Sequence, residues 1–220
     1  LAHDERGSRY ERARVRATAQ ADGDGFRLSG DKAMVAAGSC ATALLVTART
    51  EGSPGDPNGL SLFLVPAEAE GLTRTPQNRI DARPVAWIRL DDVRVPSTAR
   101  VGAQGRAMQA LGPVLDEASI ALGAEALGVA RAALELTLGH LTSRVQFGAP
   151  IGAFQALQHR VARVFAEVEL AASAVLAAAR EPTPARASLA KAAAGSAALL
   201  ATKEGIQMHG GVGVTDEYDI

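Results

Sequence analysis

Hydrophobic and polar positions along the chain follow two rhythms, and the change falls near residue 105. Before it, short apolar runs are bounded by Gly, Pro and Asp. Arg12 to Thr18 alternates, and Phe26 to Leu28 follows an Asp-Gly-Asp-Gly turn. Ala43 to Ala48, Leu60 to Val65 and Val85 to Leu90 are compact and mostly apolar. Such runs predict an antiparallel barrel or sandwich of short strands. Gly52 to Gly59, carrying Pro54 and Pro57, predicts an exposed hairpin loop.

From Gly105 onward apolar residues recur at spacings of three and four. Met108, Leu111, Leu115, Ala118, Leu122, Leu127, Leu134 and Leu138 mark one long helix. Pro113 inside this pattern predicts a kink, or a start just before it. A second helix is expected from Ile151 or Ala153 to Ala179, stopped by Glu181-Pro-Thr-Pro184. A third should run from Pro184 to Met208, with Thr183 as its cap. The many Ala residues imply close helix packing. Three long helices do not close a bundle, so a fourth helix or a partner subunit is expected. The fold class is therefore α+β, an antiparallel β-barrel or sandwich over residues 1–104 followed by a long-helix bundle over 105–220.

Composition excludes several functions. A formal net charge of -1 over 220 residues argues against a nucleic-acid surface. The alternating Arg12, Arg14 and Arg16 read as the solvated face of a strand. The single Cys40 excludes an intrachain disulfide and a cysteine-rich metal site, and fits a reduced cytosol. Charges interrupt the Ala/Leu-rich region, so no membrane span and no signal peptide are expected. No metal is expected, and the localisation is read as cytoplasmic.

Two segments carry candidate chemistry. Between the first two helices, Arg144-Val-Gln-Phe-Gly-Ala-Pro-Ile-Gly-Ala-Phe-Gln155 offers a guanidinium, a turn glycine and a new helix N-terminus. A fork of N–H donors beside a positive dipole end suits a diphosphate, and Phe147 and Phe154 could flank an aromatic ring. A plain interhelical loop with a surface Arg fits the same residues. At the end of the third helix, Gln207-Met-His-Gly-Gly-Val-Gly213 permits close backbone approach to a ligand, or a simple helix stop. His209 reads as a hydrogen-bonded structural histidine rather than a base.

Together, Arg144-x-x-Phe147-Gly148-x-Pro150-Ile151-x-x-Phe154-Gln155, Gln207-x-x-Gly210-Gly211-x-Gly213 and Glu217-Tyr218 resemble the carboxyl-terminal domain of the acyl-CoA dehydrogenase family. The first half agrees independently. Gly23-Asp24-Gly25-Phe26-x-Leu28-x-Gly30-x-Lys32, Leu62-Phe63-Leu64-Val65 and Asp92-Val93-Arg94-Val95-Pro96 match its middle β-domain in order and spacing. The resemblance covers the latter two domains, without the amino-terminal helical domain or the final helix.

This resemblance implies a flavoprotein that converts an acyl-CoA thioester to the 2-enoyl-CoA, with an electron-transfer flavoprotein as acceptor. It implies that FAD lies at a subunit interface. Arg144 and Gln146 would bind the diphosphate, Phe147, Ile151, Phe154 and Gln155 would line the adenosine side, and Gln207, Gly210 and Gly211 would lie beside them.

The β-domain half departs from the family pattern. The family's Thr-Glu-Pro-x-x-Gly-Ser-Asp is here Asp4-Glu-Arg-Gly-Ser-Arg-Tyr-Glu11. Asp4 replaces a hydroxyl expected at the flavin pyrimidine, Ala36 replaces one near flavin N5, and Met34 replaces a shielding aromatic. The catalytic base is unassigned: one family position for it falls on Ala118, beside Glu117, and the other lies beyond Ile220. Asp116 keeps a family Asp, whereas Ser119 stands in place of the usual Arg. The pattern resembles the small subunits of hetero-oligomeric members acting on bulky acyl-CoAs. The alternatives are a self-sufficient homo-oligomer with its base beyond residue 220, and a non-catalytic scaffold of the same fold.

Overall fold

Short alternating runs in the first half become seven strands of one mixed sheet, seen in a computed structural model that describes residues 1–8, 11–216 and 218–220. Arg9, Tyr10 and Glu217, quoted in the motifs above, lie outside the described residues. The strands are β1 (Thr18–Asp22), β2 (Gly25–Ala36), β3 (Ala43–Arg49), β4 (Leu60–Pro66), β5 (Leu72–Gln77), β6 (Val85–Pro96) and β7 (Arg100–Val101). Their order is β5-β6-β2-β1-β3-β4-β7, an open sheet rather than a closed barrel. All neighbours pair antiparallel except β1 and β3, which meet in parallel at Thr18 and Arg49.

The predicted strand at Arg12 to Thr18 is displaced, because β1 begins only at Thr18. The reason is a side chain. Glu5 accepts from the backbone N–H groups of Arg16 and Ala17 at 2.7 and 3.0 Å, taking donors that a ladder would use. Glu5 also accepts from Lys32 Nζ at 2.7 Å, a pair buried on both sides. Burial holds the Lys32 amine below its usual range, against the opposing pull of the Glu5 carboxylate. Of the expected Gly52–Gly59 loop between β3 and β4, residues 52–58 are exposed and Gly59 is buried, and the loop is anchored from beneath. The guanidinium of buried Arg49 donates to the carbonyls of Ala13, Val15, Glu51, Asp56 and Asn58. β5 and β7 were not anticipated; β5 carries no apolar alternation strong enough to announce it.

Three helices follow, α1 (Ala107–Ser143), α2 (Gln155–Arg180) and α3 (Pro184–His209). Pro113 stands inside α1, so the helix neither starts at it nor ends there. Thr183 caps α3 as predicted, its hydroxyl accepting from Arg186 N at 3.3 Å. Val164, Val168, Ala171, Val175 and Ala178 of α2 are buried. On α3 the buried set is almost wholly small: Ala187, Ala190, Ala194, Ala197, Ala201 and Gly205. Small side chains at this spacing let helix backbones approach closely. A Cβ on Gly123 of α1 would sit 3.3 Å from the Ala190 carbonyl oxygen.

The chain divides into two compact units, Leu1–Gly112 and Pro113–Ile220, so the division falls within α1. Each unit has its own core. The first centres on Leu28, Val46, Phe63 and Ile88, with Phe26 edge-on to Phe63 at 5.1 Å. The second centres on Leu127, Ala130, Val164, Val168 and the α3 alanines. Among the described residues no helix is long and apolar enough to cross a membrane.

Candidate functional site

Helix α1 runs past Ser143 in its hydrogen bonding, since Arg144 N donates to the His140 carbonyl at 2.9 Å. The chain then doubles back through two two-residue strands, β8 (Val145–Gln146) and β9 (Ala149–Pro150). Ile151 N closes this clasp by donating to the Arg144 carbonyl at 2.8 Å. Phe147 and Gly148 form the tip, with φ of 55° and 80°. Positive φ is ordinary for Gly and strained for Phe. Phe147 is also 93% exposed, and its ring meets Phe154 edge-on at 6.1 Å. A strained, exposed aromatic is poorly explained by packing within the chain, and such outliers cluster at ligand sites.

Beside this clasp a cavity of about 580 Å³ opens between the end of α1 and the end of α3. His140, Ser143 and Arg144 form one wall, and His209, Gly211, Val212 and Tyr218 the other. Gly210, at φ 67°, ends α3 and turns the chain into the 210–214 turn that supplies Gly211 and Val212. The imidazoles of His140 and His209 stack at 4.3 Å, and Tyr218 packs against both rings. His209 Nδ1 lies 2.8 Å from the Gly205 carbonyl, which can only accept, so Nδ1 carries the proton. With Nδ1 so engaged, the neutral form of the ring offers its lone pair at Nε2. That atom is the one buried side-chain polar atom without a partner among the described residues. Burial, then His209 and Arg144, pull the His140 pKa below 6.5. No carboxylate pairs with Arg144 among the described residues.

The structure brings only part of the expected set together. Arg144 and Gly211 line the cavity, whereas Gln146, Phe147, Ile151, Phe154 and Gln155 lie outside its wall, on the clasp and the start of α2. Gln207 and Gly210 are exposed beside it but do not line it. His209 is hydrogen-bonded as expected through Nδ1, yet its other nitrogen has no partner among the described residues. Sequence reasoning missed His140 and Ser143. Their signal was helical phase, because His140 stands one turn before Arg144.

Family models match both halves of the chain. The model described as acyl-CoA dehydrogenase, C-terminal domain, covers residues 104–220, and the middle-domain model covers residues 1–93. The chain belongs to the acyl-CoA dehydrogenase family. It is 39% identical over 161 residues to the acyl-CoA dehydrogenase IpdE2 of Mycobacterium tuberculosis, covering 72% of this chain and 48% of that protein. It is 34% identical over 208 residues to the mitochondrial short-chain specific acyl-CoA dehydrogenase of Bos taurus, covering 91% of this chain and 50% of the relative. The solved acyl-CoA dehydrogenase of Geobacillus kaustophilus superposes with a TM-score of 0.91 at 26% identity, over 99% of this chain and 60% of the other. The chain thus spans about half the length of these curated relatives.

The β-domain positions singled out against the family pattern sit at the surface. Asp4, Met34 and Ala36 are all exposed. Met34 and Ala37 hold φ of 53° and 55°, beside a register shift between Lys32 and Val35. Two left-handed non-glycine residues at one strand end repeat the strain seen at Phe147. On α1, Asp116 is buried, whereas Glu117 and Ala118 are exposed.

Proposed function

We propose that this chain is a subunit of an FAD-dependent acyl-CoA dehydrogenase, and that it supplies one side of a flavin site completed by another subunit. The observation that carries this is the cavity lined by the Arg144 guanidinium and His209, where neither the guanidinium nor the buried His209 Nε2 has a partner among the described residues. Both want a ligand with acidic oxygens and hydroxyl donors, and FAD has a diphosphate and ribose hydroxyls. The residues present fit the group. Bound FAD would supply the hydride acceptor for α,β-dehydrogenation of an acyl-CoA thioester.

The chain's own part is binding and orientation. Arg144 offers a rigid fork of N–H donors to the diphosphate. His209, its proton held at Nδ1 by the Gly205 carbonyl, accepts from a hydroxyl at Nε2. Gln146 lies on the same clasp, and Phe147, Ile151, Phe154 and Gln155 offer apolar and polar contacts to the adenosine. Gln207, Gly210 and Gly211 bring backbone close to the ligand. Gly211 has nothing within 4 Å of where a Cβ would stand, so the space beside it is open.

The isoalloxazine side and the catalytic base are assigned to the second subunit. Ala36 has no hydroxyl to offer flavin N5, and the Asp4 carboxylate would repel the negative charge of reduced flavin. α1 presents Ala118 at one family position of the base. A hetero-oligomer of the kind formed by paired subunits accounts for these substitutions, with an acyl-CoA as substrate and an electron-transfer flavoprotein as acceptor. The test is to purify the chain alone and together with a co-expressed second dehydrogenase subunit. The expected result is a colourless single chain and a yellow, active complex. A yellow, active homo-oligomer of this chain would overturn the division of labour.

A further inference from the structure

A second cavity, of about 430 Å³, is lined by residues of β2 and β6 together with Glu5, Arg6, Arg16, Ala17 and Thr75. In their antiparallel register Lys32 pairs with Ile88, and both point into the core; Asp31 pairs with Arg89 on the opposite face. Trp87, also outward, faces Thr75 of β5 across the ladder. The Glu5 carboxylate holds the backbone of Arg16 and Ala17. Arg6 and Arg16 line the same cavity as Arg89.

The charge in this cavity is unbalanced. The Glu5 carboxylate already accepts from Lys32 Nζ and two backbone N–H groups, and no arginine side chain is among its partners within the described residues. Lys32 is committed inward, toward Glu5, the His3 carbonyl and Thr47. Among the described residues, Asp31 is the one remaining carboxylate on the wall. Among the described residues, none of Arg6, Arg16 and Arg89 has a carboxylate within 4.0 Å. Arg6 is instead fixed by an aromatic ring: its guanidinium carbon stands 3.5 Å from the centroid of Trp87. A guanidinium stacked on an indole keeps its in-plane N–H edge free, and that edge matches two oxygens of a phosphate or carboxylate.

We propose that this pocket binds a multiply charged oxyanion, a phosphate ester or a polycarboxylate, in the fork of Arg6 with Arg16 and Arg89 beside it. Its size is within the range of small-molecule sites and exceeds what a single chloride needs. None of the helical-unit residues proposed to hold FAD lines it, whereas Glu5 and Arg6 belong to the segment matched to the family's flavin pattern. The wall is open to solvent, so binding weakens with added salt.

Trp87 is the single tryptophan of the chain, and it forms the floor under Arg6. Its fluorescence reports occupancy. The purified full chain is titrated with sodium pyrophosphate, with citrate, and with sodium chloride at matched ionic strength; Trp87→Phe serves as the blank. The expected result is a saturable change with pyrophosphate, citrate or both, absent with chloride. Response to pyrophosphate alone identifies a phosphorylated ligand, and response to citrate alone a polycarboxylate. Arg16→Ala and Arg89→Ala should each weaken it on the order of tenfold, the loss of one charge-assisted contact. Both residues are exposed and have no carboxylate partner among the described residues, so unchanged circular dichroism and melting are expected in these variants. A change that follows ionic strength alone, or variants that bind as the parent does, would overturn the proposal.

Discussion

Glu5 does more in this chain than its position near a motif suggests. It holds Lys32 and the backbone of Arg16 and Ala17 at once, in a setting where both charges are withdrawn from water. Removing one member of a buried pair leaves the other charge stranded, which costs about 3–5 kcal/mol. Glu5→Ala should therefore lose stability of that order in urea titration. A loss under 1 kcal/mol would show that water reaches Lys32. The motif containing Glu5 was legible, but the pair was not, because 27 residues separate Glu5 from Lys32 and only the register of β2 joins them. The histidines give a second residue-scale prediction. Burial lowers the pKa of both His3 and His140 from 6.5. The unfolded chain then takes up their protons first as the pH falls. Stability should be full above pH 6.5 and should decline below it, until the folded-state values are passed. Melting temperatures between pH 7.5 and 5.5 check this; a flat profile would contradict it.

At the scale of elements, α1 shows what periodicity can and cannot tell. The three-four spacing gave the helix, and Leu111, Leu127 and Leu134 are buried as expected. Leu122 and Leu138, placed on the same face, are 47% and 41% exposed in the chain. The reason is that α1 is apolar on more than one side. Its buried positions run through Ile120, Leu127, Ala130 and Leu134, while Leu122, Val129 and Leu136 recur every seven residues on a face the described residues leave exposed. A helix with a second apolar stripe beside its buried one carries no single phase to say which side faces which neighbour. This face fits the second subunit proposed above. Val129→Glu should dissociate the assembled complex in sedimentation while leaving helical content unchanged. An intact complex would place the subunit contact elsewhere. The clasp after α1 was legible as a motif, whereas the cavity beside it was not, since it needs the end of α3 brought to the end of α1.

At the scale of the whole molecule, two units with separate cores reproduce the middle and C-terminal domains of acyl-CoA dehydrogenases. Their texture in sequence differed enough to be read directly, strands before residue 105 and helices after it. The open sheet was harder to foresee than the strands, because closure depends on which edges pair and not on any single run. The proposed division of function follows the same two units. Polar groups suited to a diphosphate survive in the helical unit, while hydroxyls expected in the β unit are replaced at Asp4 and Ala36. The most direct test of the account is the flavin bound per complex when this chain, wild type or Arg144→Ala, is assembled with its second subunit. The account predicts that wild-type complexes retain FAD through gel filtration, and that the variant loses most of it while the complex stays intact. Equal flavin in both would contradict the assignment of Arg144 and, with it, the cofactor site.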